Sequence, residues 1–243
     1  MASDFQIIKP PWENPGVRAY LVTALSEDNE RVTFDGQSCE GSKFRSLLEQ
    51  KIHPLHPVSW IRQVHGNNIV RLPVDDHPEA DGSFTTQKGV VCEVITADCL
   101  PIVFSDFAGT RVGIVHAGRR GLYLEIIARM VAVFGVPPGE IMVWIGPGIS
   151  RENYVISKEI CDQFLSLSSE YSSVFHQVRE TEYGMDLYQT AKIQLSGLGI
   201  PQKNISGAEW DTFSDDRFHS ARRNHEQAGR MATVVWMEKS SRL

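Results

Sequence analysis

The stretch TADCLPIVFSD at residues 96–106, followed by VGIVHAGRRGL at residues 112–122, decides the fold of this chain. Each contains a short run of β-branched and other apolar residues bounded by turn-forming residues, a pattern typical of buried strands. The second stretch leads into apolar residues at three- and four-residue spacing, which predict a helix over 121–134. We therefore expect strands at 101–105 and 111–116, with a helix directly after them.

The same signals recur on both sides of this centre. They predict further strands at 17–23, 58–64, 68–72, 90–96, 141–146 and 231–236. Helical spacing predicts further helices at 42–50, 158–167 and 186–198. Ser42 is the expected N-cap of the first of these helices, and Asp186 is the expected N-cap of the last. Residues 1–16 are expected to be an extended lead-in and 24–41 a loop. Because several connections are too short for parallel crossovers, we expect one mixed α/β (α+β) domain over 1–243, with sheets that are not purely parallel.

Composition excludes several classes of protein. The 243 residues are 42% hydrophobic and 22% charged, with a net charge of −6, which is too apolar for intrinsic disorder and too acidic for a nucleic-acid-coating protein. No apolar run reaches the roughly 18–20 residues that cross a bilayer, and the N-terminus does not resemble a secretory signal. Four cysteines do not indicate a disulfide framework. We expect a cytoplasmic protein with free thiols and without nucleic-acid or membrane partners.

Three places carry residues suited to chemistry. His65 ends a predicted strand before a Gly-Asn-Asn turn, Asp98 and Cys99 lie between two apolar strands, and His116 precedes Ala-Gly-Arg-Arg-Gly at a strand–helix junction. One thiol and two imidazoles suit a zinc site with an open fourth position, although their separations are far longer than in zinc fingers. The same trio fits a nucleophilic cysteine activated by an imidazole. Taken singly, each residue also has an ordinary structural explanation, such as a buried thiol or a turn aspartate.

A resemblance to a known family rests on an ordered set of motifs. The set comprises RQVHGNNIV (62–70), EADGSFTT (79–86), TADCLPIVFSD (96–106), VGIVHAGRRGL (112–122), IGPGIS (145–150), MDLYQTAKIQL (185–195), FHSARRN (218–224) and AGRMATVVW (228–236). In this order they resemble the YfiH-type proteins, also called the laccase-domain or polyphenol-oxidase family. The resemblance is strong over 58–150, moderate over 183–236 and faint before residue 57.

The resemblance implies a fold, a metal and an activity. It implies a four-layer α/β/β/α sandwich, with two sheets face to face and helices outside, and it makes His65, Cys99 and His116 zinc ligands. It implies a purine nucleoside phosphorylase that cleaves adenosine, inosine and methylthioadenosine with phosphate and also deaminates adenosine. The older label of copper-dependent phenol oxidation is disfavoured, because one cysteine and two histidines do not supply the several sites of a multicopper oxidase.

This chain departs from the family pattern at several positions. Arg119 stands where the family usually has tryptophan, and Trp210-Asp211 stand where it has Cys-Thr. The family's N-terminal Arg-Gly-Gly-Val-Ser segment is not recognisable in TALSEDNERVTFDGQ (23–37). The three positions of the implied metal ligands match the family, so the departures concern the substrate more than the metal.

Phosphorolysis requires an anion site and residues that assist the leaving base. We expect Arg120, with Arg222 or Arg223, to bind phosphate through charge-assisted hydrogen bonds. Cys99, His65 and His116 are the expected catalytic residues, and Asp98 is expected to orient a ligand or transfer protons. The expected partners are a purine nucleoside and phosphate, bound by a monomer or homodimer.

Two other functions fit the same residues. The first is a cysteine hydrolase in which Cys99, with His65 or His116, attacks a small amide or a peptide-like cell-wall precursor. The second is a non-enzymatic zinc-binding protein that regulates a partner.

Overall fold

A computed structural model describes residues 5–35, 38–52, 60–75 and 77–238. Across these ranges the strands are β1 (Phe5–Ile8), β2 (Val17–Ser26), β3 (Ile69–Arg71), β4 (Gly82–Thr85), β5 (Val91–Thr96), β6 (Leu100–Asp106), β7 (Val112–Ala117), β8 (Ile141–Ile145), β9 (Val155–Ser157), β10 (Phe175–Arg179), β11 (Glu182–Met185), β12 (Ile205–Gly207) and β13 (Met231–Met237). The α-helices are α1 (Cys39–Ile52), α2 (Arg119–Tyr123), α3 (Ile126–Phe134), α4 (Lys158–Leu167), α5 (Leu187–Gly197) and α6 (Ala221–Asn224). Short 3₁₀ helices cover Pro138–Glu140, Ser169–Val174, Gln202–Asn204 and His225–Gln227.

Two sheets form the centre of the fold. The smaller has the antiparallel order β1-β2-β13-β5, and the larger has the order β12-β8-β6-β7-β4-β3. In the larger sheet, β12–β8 and β3–β4 are parallel pairs and the other pairs are antiparallel, so this sheet is mixed. A third, three-stranded sheet has the order β10-β11-β9.

Buried side chains show that the elements stack in four layers. Between the two sheets lie Leu21, Val94, Val103, Ile114, Trp144 and Val235. Helix α1 covers the outer face of the smaller sheet, with Leu48 and Ile52 in one cluster with Val22, Val91 and Val234. Helices α2 to α5 cover the outer face of the larger sheet, with Leu122, Met130, Phe164 and Leu195 in one cluster with Ile102, Phe104 and Val115. Each large apolar side chain buried in this way contributes roughly 1.5–3 kcal/mol, and the α/β/β/α order confirms the expected sandwich.

Most predicted elements are confirmed. Helix α4 has the predicted bounds, and the Asp186 carboxylate caps α5 by accepting the Gln189 N–H at 2.8 Å. The predicted helix over 121–134 is divided into α2 and α3, because Glu125 adopts a left-handed conformation with φ of 59°. Gly135, with φ of 69°, then ends α3 as expected.

Three predictions near the N-terminus are wrong in part. Helix α1 begins at Cys39 rather than Ser42, because the Ser38 hydroxyl accepts the Gly41 N–H at 2.9 Å. The predicted loop over 24–41 is therefore helical at its end, and its first residues, 24–26, belong to β2. The predicted lead-in over 1–16 contains a strand, β1, which pairs with β2.

The predicted strand over 58–64 is also wrong in its described part. Residues 58 and 59 lie outside the described residues, and residues 60–64 contain one isolated bridge, Arg62 to Glu79. The reason is local: the N–H groups of Val64 and His65 donate to the carboxylate of Asp81 instead of to a neighbouring strand.

Candidate active site

The fold brings His65, Cys99 and His116 together. Cys99 lies in the tight connection from β5 to β6, where Asp98 has φ of 83°, and His116 lies opposite Pro101 in the β6–β7 pair. His65, with φ of 58°, lies in the loop before β3. One ligand atom from each of the three residues lies within 4.8 Å of the others, and in the part of the chain that the structure describes no second such cluster occurs.

Asp81 ties this cluster together, and sequence reasoning missed it. Its carboxylate accepts the N–H groups of Val64, His65 and Gly66 at 3.2, 2.8 and 2.6 Å. Its Oδ1 also lies 2.9 Å from Nδ1 of His116. Asp81 is fully buried; burial raises its pKa, but hydrogen bonds from His116 and the Gly66 N–H outweigh this, and the net pKa is lowered. The EADGSFTT motif contained this residue, but nothing local to it indicates a role.

Because an ionised carboxylate only accepts hydrogen bonds, the contact with Asp81 places the proton of His116 on Nδ1. The lone pair of Nε2 is then left for another ligand. Carboxylate–histidine pairs of this kind orient metal-binding imidazoles and raise their basicity. The arrangement therefore fits a metal-ligating histidine.

The charges of Cys99 and His116 are coupled. Burial raises the pKa of the Cys99 thiol, but the charge of His116 and hydrogen bonds from His116 and His65 outweigh burial and lower this pKa to about 6. Burial lowers the pKa of His116, but Cys99 and Asp81 outweigh it and raise the pKa to about 9. Without a metal the pair therefore favours a thiolate beside an imidazolium, and a metal that binds Nε2 of His116 would displace its proton. A thiolate is both a metal ligand and a nucleophile.

Gly118 allows the strand–helix junction to approach the thiol closely. A Cβ atom at this position would lie 2.6 Å from Sγ of Cys99 and 3.5 Å from Cδ2 of His65. The first separation is shorter than any van der Waals contact, so a side chain here would displace the thiol. Glycine is thus required by space rather than by backbone conformation.

Asp98 has a different environment from the other candidates. Its Oδ1 accepts the Thr212 hydroxyl at 2.7 Å, and its Oδ2 accepts the Arg222 N–H at 2.6 Å. These bonds attach the β5–β6 connection to α6 and to the loop before it. Asp98 also lines the cavity described next, and its proposed part in orienting a ligand or moving protons stays a prediction.

A cavity of about 890 Å³ opens beside the cluster, within the size range of small-molecule sites. Its described lining is rich in cationic or protonatable side chains: Arg45, Arg62, Arg222, Arg230, His65, His77, His116 and His225. Asp98 is the one acidic residue of that lining. A cavity with this charge favours anionic ligands.

The three predicted phosphate-binding arginines lie in different environments. Arg222 lines the cavity. Arg223 donates instead to the backbone carbonyls of Thr212, Phe213 and Phe218, and Arg120 is exposed and outside the described cavity lining. The phosphate roles of Arg120 and Arg223 stay predictions.

Tyr154 is a second residue that sequence reasoning missed. It lines the cavity, and the guanidinium of Arg222 lies 4.9 Å from its ring centre. Burial and the charge of Cys99 raise the pKa of the phenol, against the lowering effect of the guanidiniums of Arg119 and Arg222. The residues are distant in sequence, so no local pattern joins them.

Comparison with known proteins identifies the family. Residues 35–238 match the family described as multi-copper polyphenol oxidoreductase laccase. The chain belongs to this family. It is 37% identical over 244 residues to a purine nucleoside phosphorylase of Pseudomonas aeruginosa, covering 95% of this chain and 98% of the relative. It is 35% identical over 247 residues to a purine nucleoside phosphorylase of Haemophilus influenzae, covering 96% and 100%.

Solved structures of similar proteins confirm the fold. The Neisseria meningitidis protein NMB0706 superposes with a TM-score of 0.87 at 28% identity, over 96% of this chain and 99% of that one. The YfiH protein of Bacillus licheniformis also gives 0.87, over 98% and 97%, and at 24% identity this likeness concerns the fold alone. Together with the family match over residues 35–238 and the relatives above 30% identity, this confirms the resemblance to YfiH-type proteins. Among the described residues, none of the helices has the length and apolar character to cross a membrane.

Proposed function

We propose that this chain is a purine nucleoside phosphorylase that cleaves adenosine, inosine and methylthioadenosine with phosphate and deaminates adenosine as a side activity. The observation that carries the proposal is the His65–Cys99–His116 cluster beside a cationic cavity of about 890 Å³. The names of the Pseudomonas and Haemophilus relatives support the same activity. We propose that the chain acts in the cytoplasm as one domain over 1–243, as a monomer or homodimer.

The donor set fits zinc. One thiolate and two imidazoles are ligands that zinc prefers, and three protein ligands leave a position for another group. Asp81 fixes the His116 ring through Nδ1, as expected behind a metal ligand. Multicopper oxidation requires several copper sites, whereas the described residues contain one such cluster. We therefore propose His65, Cys99 and His116 as zinc ligands.

The residues of the cavity serve the two substrates. Arg222 would hold the phosphate dianion by charge-assisted hydrogen bonds. In phosphorolysis a phosphate oxygen forms a bond to C1′ of the ribose while the bond from C1′ to the purine nitrogen breaks. The electron pair of the broken bond leaves with the base. A zinc ion held by the three ligands would supply the Lewis acidity that hydrolytic deamination of adenosine requires.

The coupled thiol and imidazole favour a second candidate function. A Cys99 pKa of about 6 beside a His116 pKa of about 9 gives a reactive thiolate at neutral pH. A cysteine hydrolase would use this thiolate to attack the carbonyl carbon of a small amide or a cell-wall precursor. The C–N bond would break, the amine would leave with a proton from the His116 imidazolium, and water would then hydrolyse the thioester on Cys99.

One experiment separates the candidates. The metal content of the wild type and of Cys99→Ser is measured, and both are assayed for adenosine turnover with and without phosphate. Cys39→Ser is the matched control, because Cys39 is exposed and remote from the cluster in sequence. The proposal predicts that Cys99→Ser loses zinc and turnover while Cys39→Ser keeps both.

The other outcomes each identify a different function. Turnover of an amide with a trapped thioester on Cys99, independent of zinc, would establish the hydrolase. Stoichiometric zinc without turnover of any nucleoside would establish the non-enzymatic regulator.

A further inference from the structure

Hydrogen bonds to residues 78–81 hold one side of the segment that carries His65. The N–H of Arg62 donates to the carbonyl of Pro78 at 2.9 Å, and the carbonyl of Arg62 accepts the N–H of Ala80 at 3.1 Å. These bonds fix the segment relative to the chain that leads into β4. They leave the opposite side of the segment, which faces β5, to be held by other contacts.

On that opposite side, the side chain of Gln63 binds the backbone of β5 at two points. Its Nε2 donates to the carbonyl of Ile95 at 2.8 Å, and its Oε1 accepts the N–H of Ile95 at 2.7 Å. In the part of the chain that the structure describes, β5 is the edge strand of its sheet, so no further strand pairs with these groups of Ile95. A primary amide offers both a donor and an acceptor, and Gln63 therefore takes the place of a neighbouring strand.

This contact joins the two segments that carry His65 and Cys99. Gln63 lies two residues before His65, and Ile95 lies four residues before Cys99. Among the described residues, no backbone–backbone hydrogen bond links residues 60–66 to β5 or to the turn that follows it. The amide of Gln63, which also lines the cavity, thus supplies the hydrogen bonds that hold the backbones of these two segments together.

We propose that Gln63 is a positioning residue that sets the separation of His65 from Cys99. Asp81 fixes His65 relative to His116, whereas Gln63 fixes it relative to the thiol. A metal ion binds most tightly where its ligands are already held in the geometry that it requires. The inference rests on the proposed function for the metal that these residues hold.

The test compares two identical substitutions. Gln63→Met removes both hydrogen bonds and keeps an unbranched side chain, and we expect zinc binding to weaken about tenfold or more, as at other sites where the outer support of a ligand is removed. Competition with a chromophoric chelator measures this affinity. Gln194→Met is the matched control, because the half-buried Gln194 amide donates to the carbonyl of Leu122 at 2.8 Å and lies outside the described cavity lining. The control should lose stability and bind zinc as tightly as the wild type does.

Two further measurements separate positioning from stability. In metal-free protein, hydrogen exchange followed by NMR should show the N–H of Ile95 exchanging about fivefold or more faster in Gln63→Met, because this N–H has lost its acceptor. In cobalt-substituted protein, the absorption band from the Cys99 thiolate to cobalt should shift or weaken in Gln63→Met and stay unchanged in Gln194→Met.

A folded Gln63→Met with the zinc affinity and cobalt spectrum of the wild type overturns the proposal, as does equal exchange of the Ile95 N–H in the two proteins. If Gln63→Met does not fold, Gln63→Glu decides by the same metal measurements, because it keeps the acceptor and places an oxygen against the carbonyl of Ile95. A wild type that binds no zinc overturns the positioning role together with the metal centre. Weakened zinc binding in Gln63→Met, with a zinc-loaded wild type that cleaves no nucleoside, would support the positioning role and refute the proposed phosphorolysis.

Discussion

Replacing Asp81 with asparagine removes the charge that holds both histidines of the candidate metal centre. The carboxylate accepts three backbone N–H groups from Val64, His65 and Gly66 and contacts Nδ1 of His116. An asparagine turns one acceptor oxygen into an NH₂ group, so at least one N–H donor in this buried place faces another donor. The Asp81→Asn substitution therefore disturbs His65 and His116, two of the three proposed zinc ligands.

The magnitude follows from these four contacts. Each hydrogen bond to a charged group contributes roughly 1.5–3 kcal/mol, and removing one partner of a buried charged pair costs roughly 3–5 kcal/mol. We expect Asp81→Asn to lower the free energy of unfolding by about 3–5 kcal/mol. Outer-shell partners of this kind also change metal affinity by about 10- to 100-fold, and we expect a loss of zinc affinity in that range.

Denaturant unfolding measures the first quantity, and competition with a chromophoric chelator measures the second. Asp106→Asn is the matched control, because Asp106 is also buried and accepts the N–H groups of Thr110 and Arg111 at 2.7 and 3.2 Å. It lies at the opposite end of β6 from Cys99, about 20 Å away at the rise of a strand. The control should lose stability and keep zinc affinity. Equal zinc affinity in Asp81→Asn and the wild type would refute the positioning role of Asp81.

Two further substitutions test the electrostatics and the packing. Burial raises the pKa of Glu93 to about 8, so the folded state favours the neutral acid; its contribution is fully present below about pH 4.5 and is lost as pH rises towards 8. Between those pH values the wild type should therefore lose up to about 5 kcal/mol of unfolding free energy relative to Glu93→Gln, as measured by urea unfolding. Curves of unfolding free energy against pH that run parallel for the two proteins would contradict this. Substitution of the exposed Glu159 by Gln is the control. Gly118→Ala places a Cβ 2.6 Å from Sγ of Cys99. We therefore expect zinc binding to weaken at least tenfold and the free energy of unfolding to fall by about 1–3 kcal/mol. A zinc affinity equal to that of the wild type in a chelator titration would contradict this and show that the thiol has room to move.

The sequence predicts the parts of the site that local patterns determine. Cys99 and His116 stand at the ends of strands whose apolar runs are unmistakable, and antiparallel pairing of those strands brings them together. The divided helix was not predictable from spacing, because Glu125 adopts its left-handed conformation within an uninterrupted apolar pattern.

Residues that act through tertiary contacts were missed for a different reason. Asp81 is separated by 35 residues from His116, and its role depends on backbone N–H groups that carry no sequence signal. Tyr154 and Arg222 are likewise brought together by the fold alone. The predicted strand before His65 fails for the same cause, since its N–H groups are satisfied by Asp81.

Trp210 and Asp211, the departures noted from the sequence, have clear structural positions. Trp210 packs edge-on against Trp144 with ring centres 6.3 Å apart. The Asp211 carboxylate accepts the Ser150 N–H at 2.9 Å and the Asn153 side-chain amide at 2.7 Å. Both residues support loops in this part of the fold, and neither is among the described residues that line the cavity.

The most direct test of the central claim follows the products of adenosine in the presence of the zinc-loaded protein. With phosphate, we expect ribose 1-phosphate in an amount equal to adenine plus hypoxanthine. Without phosphate, we expect no ribose 1-phosphate and only inosine, formed more slowly than adenine is released with phosphate. Substituting serine for Cys99 should abolish both. Release of adenine at the same rate with and without phosphate, or no release of adenine or inosine from protein that carries one zinc ion, would contradict the account.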